Sequence, residues 1–159
     1  MPGLATLTVP DVPASAEDSG LLAGTRIMTA EGELPVELLG PGDRVITRRG
    51  MTRVVAVEIR SVADAEVVVI SPETLGQGRP GEALRLAPDQ RIVVRDWRAM
   101  ALWGGAAAAV PVSRLEDGAF IRRERVALAH FITLRLASEG TVMAGGLDLC
   151  CPAAQAVNA

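Results

Sequence analysis

The sequence lacks lysine entirely, so all 16 of its basic residues are arginine, and 19 acidic residues give a formal net charge of −3. The longest basic runs are pairs, Arg48-Arg49 and Arg122-Arg123. Nucleic-acid-binding proteins usually present an excess of basic residues on one face. The composition therefore argues against a nucleic-acid partner.

Histidine and cysteine are scarce as well. The chain has one histidine, His130, and two adjacent cysteines, Cys150 and Cys151. Adjacent cysteines cannot join distant parts of a fold, which excludes a disulfide framework. One histidine beside this pair provides too few ligands for zinc. We therefore predict no metal site and no cofactor.

Long apolar runs are also missing. The least polar segment, residues 100–112, is shorter than a membrane span and is interrupted by glycine and proline. Residues 1–18 have neither a basic start nor a continuous apolar core, so they do not form a signal peptide. We predict a flexible leader over residues 1–18, whose deletion leaves the melting temperature nearly unchanged. No membrane span is predicted, the compartment is not specified, and the cytoplasm is the default expectation.

The residues that are present indicate a β protein. The length of 159 residues and the 49% of hydrophobic residues suit one folded domain. From Thr25 onward, apolar and polar residues mostly alternate with a period of two, and glycine and proline mark frequent turns. Asp96 and Gly104 are placed to cap one short helix, and Pro111 begins a second helical turn. The predicted strands are "DRVIT", "TRVVAVEIR", "AEVVVI", 83–86, 91–94, 119–122, 130–136 and 141–150. The expected fold class is all-β with one or two short helices.

Four blocks of this sequence resemble, in order, those of the Hint domains, the hedgehog and intein autoprocessing family, and more narrowly its bacterial hedgehog/intein-type group. They are "GLLAGTRIMTAEGELPVELLGPGDRVITRRG", "LRLAPDQRIVV", "PVSRLEDGAFIRR" and "TVMAGGLDLCCP". The resemblance covers residues 19–152 and leaves residues 153–159 as a C-terminal tail. It implies a compact horseshoe of short twisted strands with pseudo-twofold halves.

The resemblance also implies a chemistry. In this family a Cys or Ser at the first position of the domain attacks the preceding carbonyl, a His three residues after a Thr protonates the departing amide nitrogen, and inteins cyclise a terminal Asn. Matched residue by residue, the nucleophile position here is Gly20, the Thr and His positions are Ala87 and Gln90, and the closing block has Gly145 where "ANG" or "ADG" is usual. Glycine carries no nucleophile, and a carboxamide does not exchange protons near neutral pH.

These substitutions lead to three hypotheses. In the first, the domain has kept the scaffold, lost self-processing, and serves as a non-catalytic binding or assembly module with an unidentified protein partner. In the second, slow self-cleavage persists near Ser19-Gly20. In the third, the domain is only a folded tail of a larger system. Under the first hypothesis, Gly20→Cys combined with Gln90→His is expected to restore thiol-sensitive cleavage before residue 20.

Each candidate for residual cleavage also has a simpler interpretation. Ser19 and Thr25 have hydroxyls near the matched first position, but Ser19 has no general base near it in sequence and is better explained as the end of a linker. His130 could be a relocated acid, yet it suits a structural or surface role. The adjacent thiols could be reactive, or they could be small buried side chains; they are Cys150 and Cys151.

Overall fold

The computed structural model describes residues 7–8 and 19–153, and β-strands account for most of this part. The strands are β1 (Leu7–Thr8), β2 (Leu21–Leu22), β3 (Arg26–Thr29), β4 (Gly32–Pro35), β5 (Arg44–Thr47), β6 (Gly50–Ile70), β7 (Leu84–Leu86), β8 (Arg91–Val94), β9 (Ala107–Pro111), β10 (Ile121–Leu136), β11 (Gly140–Ala144) and β12 (Leu147–Cys151). The α-helix α1 spans Trp97–Trp103, and 3-10 turns span Val36–Leu38 and Val112–Leu115. The predicted all-β class is confirmed.

Two long antiparallel strands, β6 and β10, form the framework of the fold. They pair from Ile121↔Ile70 at one end to Leu136↔Val54 at the other, with a register irregularity between Arg135 and Leu136. The sequence predicted two strands within β6, "TRVVAVEIR" and "AEVVVI", and two within or beside β10, 119–122 and 130–136. Both predictions were wrong, because each segment is one continuous strand. The polar residues around Asp64, which has a positive φ of 52°, resemble a turn in sequence but lie inside β6.

The strands are arranged in two sheets. The larger has seven strands in the order β10-β2-β7-β6-β5-β3-β4, and the smaller has five in the order β1-β9-β8-β12-β11. Strand β11 packs against β3 and β5, which brings the sheets together. The main hydrophobic core includes Ile27, Val68, Ile92, Ile132 and Leu149, which come from both sheets.

The chain reverses direction where glycine permits it. Residues 141–150, predicted as one strand, are instead the β11–β12 hairpin, in which Thr141 pairs with Cys150. The turn uses Gly145 and Gly146 at φ +59° and +86°, a region that favours glycine.

The helix α1 begins and ends where the sequence predicts. The Asp96 side chain accepts a hydrogen bond from the Arg98 backbone N–H at 3.0 Å. At the other end, Gly104 adopts the left-handed conformation and donates its N–H to the last turn.

The predicted leader and tail lie largely outside the described residues. Of residues 1–18, only β1 is described, and it pairs in parallel with Ala107 and Ala108. Of residues 153–159, only Ala153 is described, bridged to Leu136. Within the described ranges, no helix is both long and apolar enough to cross a membrane.

Candidate functional site

Four residues, Gly20, Ala87, Gln90 and Gly145, are matched by the resemblance to family positions, and the first three meet at one buried junction. Gly20, just before β2, donates its backbone N–H to Gln90 Oε1 at 3.0 Å. Its carbonyl accepts the N–H of Ala87 at 3.1 Å. The turn between β7 and β8 makes this possible, because the Gln90 N–H returns to the Ala87 carbonyl at 3.0 Å.

The Gln90 side chain links three distant segments of the chain. Besides accepting from Gly20, its Nε2 donates to the carbonyl of Arg91 at 2.9 Å and to that of Cys150 at 2.8 Å. Only 4% of the residue is exposed. A neutral carboxamide can accept one bond and donate two at the same time, which suits these partners.

Gly20 occupies a position with no room for a side chain. Its φ of +142° is one that residues with a side chain rarely adopt, and a Cβ there would lie 2.9 Å from the Cβ of Phe131. A larger residue would require the β10 backbone to move, since the contacted atom is not the flexible end of a side chain.

The Ser19–Gly20 peptide group is held at both of its polar atoms. The Ser19 carbonyl accepts a hydrogen bond from an Arg60 Nη2 at 3.3 Å, while Gln90 accepts the Gly20 N–H. The Arg60 guanidinium lies over the Phe131 ring, 4.9 Å from its centroid. The sequence does not predict the role of Arg60, because nothing local indicates that strand β6 passes beside residue 19.

Gly145 makes its contacts at a different place. Its carbonyl accepts the N–H of Gly81 at 3.1 Å, and a Cβ there would lie 3.2 Å from Pro80. It lines a cavity of about 460 Å³ between the 22–26 and 81–85 segments, together with Thr25 and Arg85. The fourth family position therefore belongs to this cavity.

Two of the further candidates are engaged in backbone interactions. Thr25 is buried, and its Oγ1 donates to the Leu22 carbonyl at 2.7 Å. His130 is exposed, its Nδ1 lies 2.8 Å from Ser61 Oγ, and its backbone carbonyl accepts the N–H of Ala23. The His130 ring therefore lies at the surface.

The two cysteines are free thiols whose environment disfavours the reactive thiolate. Burial raises the pKa of Cys150 to about 11. It raises the pKa of Cys151 as well, and the neighbouring Cys150 adds to the increase. Both thiols are therefore protonated at neutral pH.

A buried carboxylate that the sequence analysis did not identify lies on β12. Asp148 is 1% exposed, and its Oδ2 accepts hydrogen bonds from Arg48 and Arg95. Its Oδ1 is buried without a hydrogen-bond partner in the described part of the chain. Over the same residues, no group of three or more His, Cys, Asp or Glu is placed to hold a metal ion.

Comparison with known proteins identifies the fold. A bacterial intein-like domain from Clostridium thermocellum is 18% identical, with a TM-score of 0.59 over 83% of this chain and 97% of that one. A DnaB intein from Synechocystis is 9% identical, with a TM-score of 0.53 over 84% and 98%. The MchDnaB-1 intein, in its N145AA form, is 17% identical, with a TM-score of 0.53 over 83% and 99%. No curated protein matches the chain. Residues 19–150 match the Hint domain family, to which this chain therefore belongs.

Proposed function

We propose that this Hint domain does not cleave its own chain and works as a binding or assembly module. The observation that carries the proposal is the buried Gln90 side chain, which is fully occupied in bonding Gly20, Arg91 and Cys150 and which the resemblance matches to the family's histidine. A general acid must release a proton to the leaving nitrogen, and a carboxamide cannot do so near neutral pH.

The surroundings of Gly20 support the same proposal. Self-processing begins with a side-chain nucleophile at this position. Glycine provides none, and the 2.9 Å approach of Phe131 Cβ fills the space that a side chain would need. The Thr25 hydroxyl is bonded to the Leu22 carbonyl, and burial keeps the Cys150 thiol protonated.

The cavity beside Gly145 is the proposed binding site. Its volume of about 460 Å³ falls within the range of ligand pockets. Its charged wall residues have both signs, Arg26 and Arg85 against Glu33 and Glu82. A short peptide segment with both polar and apolar groups fits this lining better than a uniformly charged ligand does.

One observation favours residual cleavage as a second candidate. The Arg60 guanidinium bonds the Ser19 carbonyl, so it could stabilise negative charge on that oxygen if a nucleophile attacked. Water or hydroxylamine would then have to supply the nucleophile. The nucleophile would form a bond to the Ser19 carbonyl carbon, the Ser19–Gly20 C–N bond would break, and a proton from the nucleophile would pass to the Gly20 nitrogen. A fragment beginning at Gly20 would be released, with a carboxylate (from water) or a hydroxamate (from hydroxylamine) left on Ser19.

Intact-mass spectrometry separates the two candidates. Purified full-length protein is held for days with buffer alone, with hydroxylamine and with thiol. We expect an unchanged full-length mass under all three conditions. A fragment beginning at Gly20 would overturn the loss of processing, and its disappearance in Arg60→Ala would assign the residual cleavage to the guanidinium.

A cavity-filling variant tests the binding site. Ala83 is exposed on the cavity wall, so Ala83→Trp should abolish capture of a stoichiometric partner from the native host without disturbing the fold. Ala63→Trp, at an exposed position on β6, is the matched control and should retain the partner. Equal capture by both variants would remove the cavity from the proposal, and no stoichiometric partner at all would favour the folded-tail hypothesis.

A further inference from the structure

Strand β9 lies between β8 and β1 in the five-stranded sheet. It pairs with β8 through four residues on one side. On the other side it pairs in parallel with β1, through Leu7↔Ala107 and Thr8↔Ala108. Among the described residues, this two-residue strand is all that pairs with that edge of the five-stranded sheet.

The sequence of β9 has almost none of the features that protect free sheet edges. Exposed edges usually carry charged residues, bulges or inward-pointing charges, because an unpaired apolar edge recruits other strands. Strand β9 reads "AAAVP", has no charge, and all five of its residues are buried. Only Pro111, at its last position, resembles a protecting device. An edge of this composition is suited to a covering strand.

Strand β9 is buried on both of its faces. Ala108 and Val110 belong to the main core. Ala107 and Ala109 form a separate apolar cluster with Val93, and Cys150 packs against it. What the strand presents at its edge is therefore backbone N–H and C=O groups, with which an added strand pairs.

We propose that the β9 edge is a strand-docking site, which Leu7–Thr8 of the leader occupies reversibly and which can accept the same leader sequence supplied as a separate peptide. Two paired residues hold the leader in place, so its local opening free energy is small compared with that of the domain. Backbone hydrogen bonds to a sheet edge provide the affinity in this mode of peptide recognition. The inference is independent of the proposed loss of processing.

Amide hydrogen exchange on the full-length chain tests whether the leader protects this edge. The double variant Leu7→Pro with Thr8→Pro removes the two N–H groups of β1 and should release it. We expect the backbone amides of Ala107 and Ala108, the residues that pair with β1, to exchange about tenfold faster than in the unmodified chain, while β6 and β10 keep their protection. Ala16→Pro, elsewhere in the leader, is the matched control and should change nothing.

A synthetic peptide of residues 1–18, added to the double-proline chain, tests whether the edge is a binding site. We expect the peptide to restore protection of Ala107 and Ala108 at saturation, and the same peptide with prolines at positions 7 and 8 to have no effect. Equal exchange in the variant and the unmodified chain would overturn the proposal, as would faster exchange that the peptide fails to reverse. Loss of protection throughout β6 and β10 would overturn it too, because a detachable strand cannot hold the whole domain together.

Discussion

At the scale of single residues, Gln90 is a buried group whose hydrogen-bonding capacity matches its surroundings. It accepts from one backbone N–H and donates to two backbone carbonyls, contributed by Gly20, Arg91 and Cys150. A histidine, which offers two ring nitrogens, cannot make the same three bonds. The residue thus has a structural role that its sequence position alone does not reveal.

Replacing Gln90 with leucine is expected to lower the free energy of unfolding by about 2–4 kcal/mol, because three buried backbone groups lose their partner. Urea denaturation measures this change. The neighbouring Asp89 is exposed, so Asp89→Asn should stay within about 0.5 kcal/mol of the unmodified chain. An effect of Gln90→Leu no larger than that control would contradict the structural role.

Gly20→Ala is expected to destabilise the domain by about 2–4 kcal/mol, through backbone strain and the contact with Phe131. Gly24→Ala is the matched control, since Gly24 has a φ of +96° but open space around it. It should lose only about 1 kcal/mol from strain. Phe131→Ala should not rescue Gly20→Ala, because it retains the Cβ that is contacted. Thermal unfolding is measured for Gly20→Ala, for Gly24→Ala and for Gly20→Ala combined with Phe131→Ala. Equal stability of the two single glycine variants would contradict a destabilising contact with Phe131.

The same contact affects the expected restoration of cleavage. Gly20→Cys with Gln90→His places a Cβ against Phe131 and removes the Gln90 hydrogen bonds together. The double variant should therefore be less stable than the unmodified chain before any cleavage begins. Its folded fraction has to be measured alongside its mass.

At the scale of secondary-structure elements, Asp148 connects three separate pieces of the fold. It lies on β12, while its partners Arg48 and Arg95 come from the β5–β6 turn and from the end of β8. A buried carboxylate with two guanidinium groups is sensitive to the loss of one member, since the remaining charges lose their compensation.

Asp148→Asn is expected to reduce the free energy of unfolding by about 2–4 kcal/mol. Asp64→Asn, which weakens an exposed ion pair with Arg125, is the matched control and should change it by less than about 1 kcal/mol. Chemical denaturation provides both values. Similar losses in the two variants would mean that the buried cluster contributes no more than a surface pair.

The sequence predicts elements best where local signals suffice. Strands 91–94 and "DRVIT" and the helix capped by Asp96 agree with β8, β5 and α1. The β11–β12 turn was missed because the flanking residues continue the apolar pattern through Gly145. Long pairings such as β6 with β10 depend on residues far apart in sequence, which no local pattern encodes.

The candidate site, like the fold, has one part that sequence motifs predict and another that they do not. The aligned motifs matched Gly20, Ala87, Gln90 and Gly145 to the family's site; the first three meet through hydrogen bonds, whereas Gly145 lines a separate cavity. Arg60 lies 41 residues from Ser19 in sequence, and Arg48 lies 100 residues from Asp148. Such partners are selected by the packing of the sheets, so only coordinates reveal them.

At the scale of the whole molecule, the thiols of Cys150 and Cys151 should make the free energy of unfolding decrease at alkaline pH. An ordinary thiol has a pKa of 9.0, whereas that of Cys150 is raised to about 11 by burial. Between these values the unfolded chain has lost a proton that the folded chain keeps. The contribution of the Cys150 thiol to the free energy of unfolding should therefore be fully present below about pH 9 and be lost as the pH rises toward about 11.

Melting temperatures measured across this alkaline range test the prediction. Cys150→Ala should show a shallower decline than the unmodified chain, because one of the two raised thiols is gone. The residual slope belongs to Cys151 and other alkaline groups. Identical slopes in the two proteins would show that the Cys150 thiol is not protected from ionisation.

The pairing of β6 with β10 has a consequence for how the chain is made on the ribosome. Roughly fifty residues separate Ile70 from Ile121, the first pair of this ladder. At a synthesis rate of about 5–20 residues per second, β6 waits several seconds for its partner strand. Strand β7 is made sooner and pairs with Val68–Ile70 on one side, so during that interval it is the other edge of Val67–Ile70, later covered by β10, that is open to chaperones and to neighbouring nascent chains. Growth temperature and translation speed should therefore influence the soluble yield of this protein.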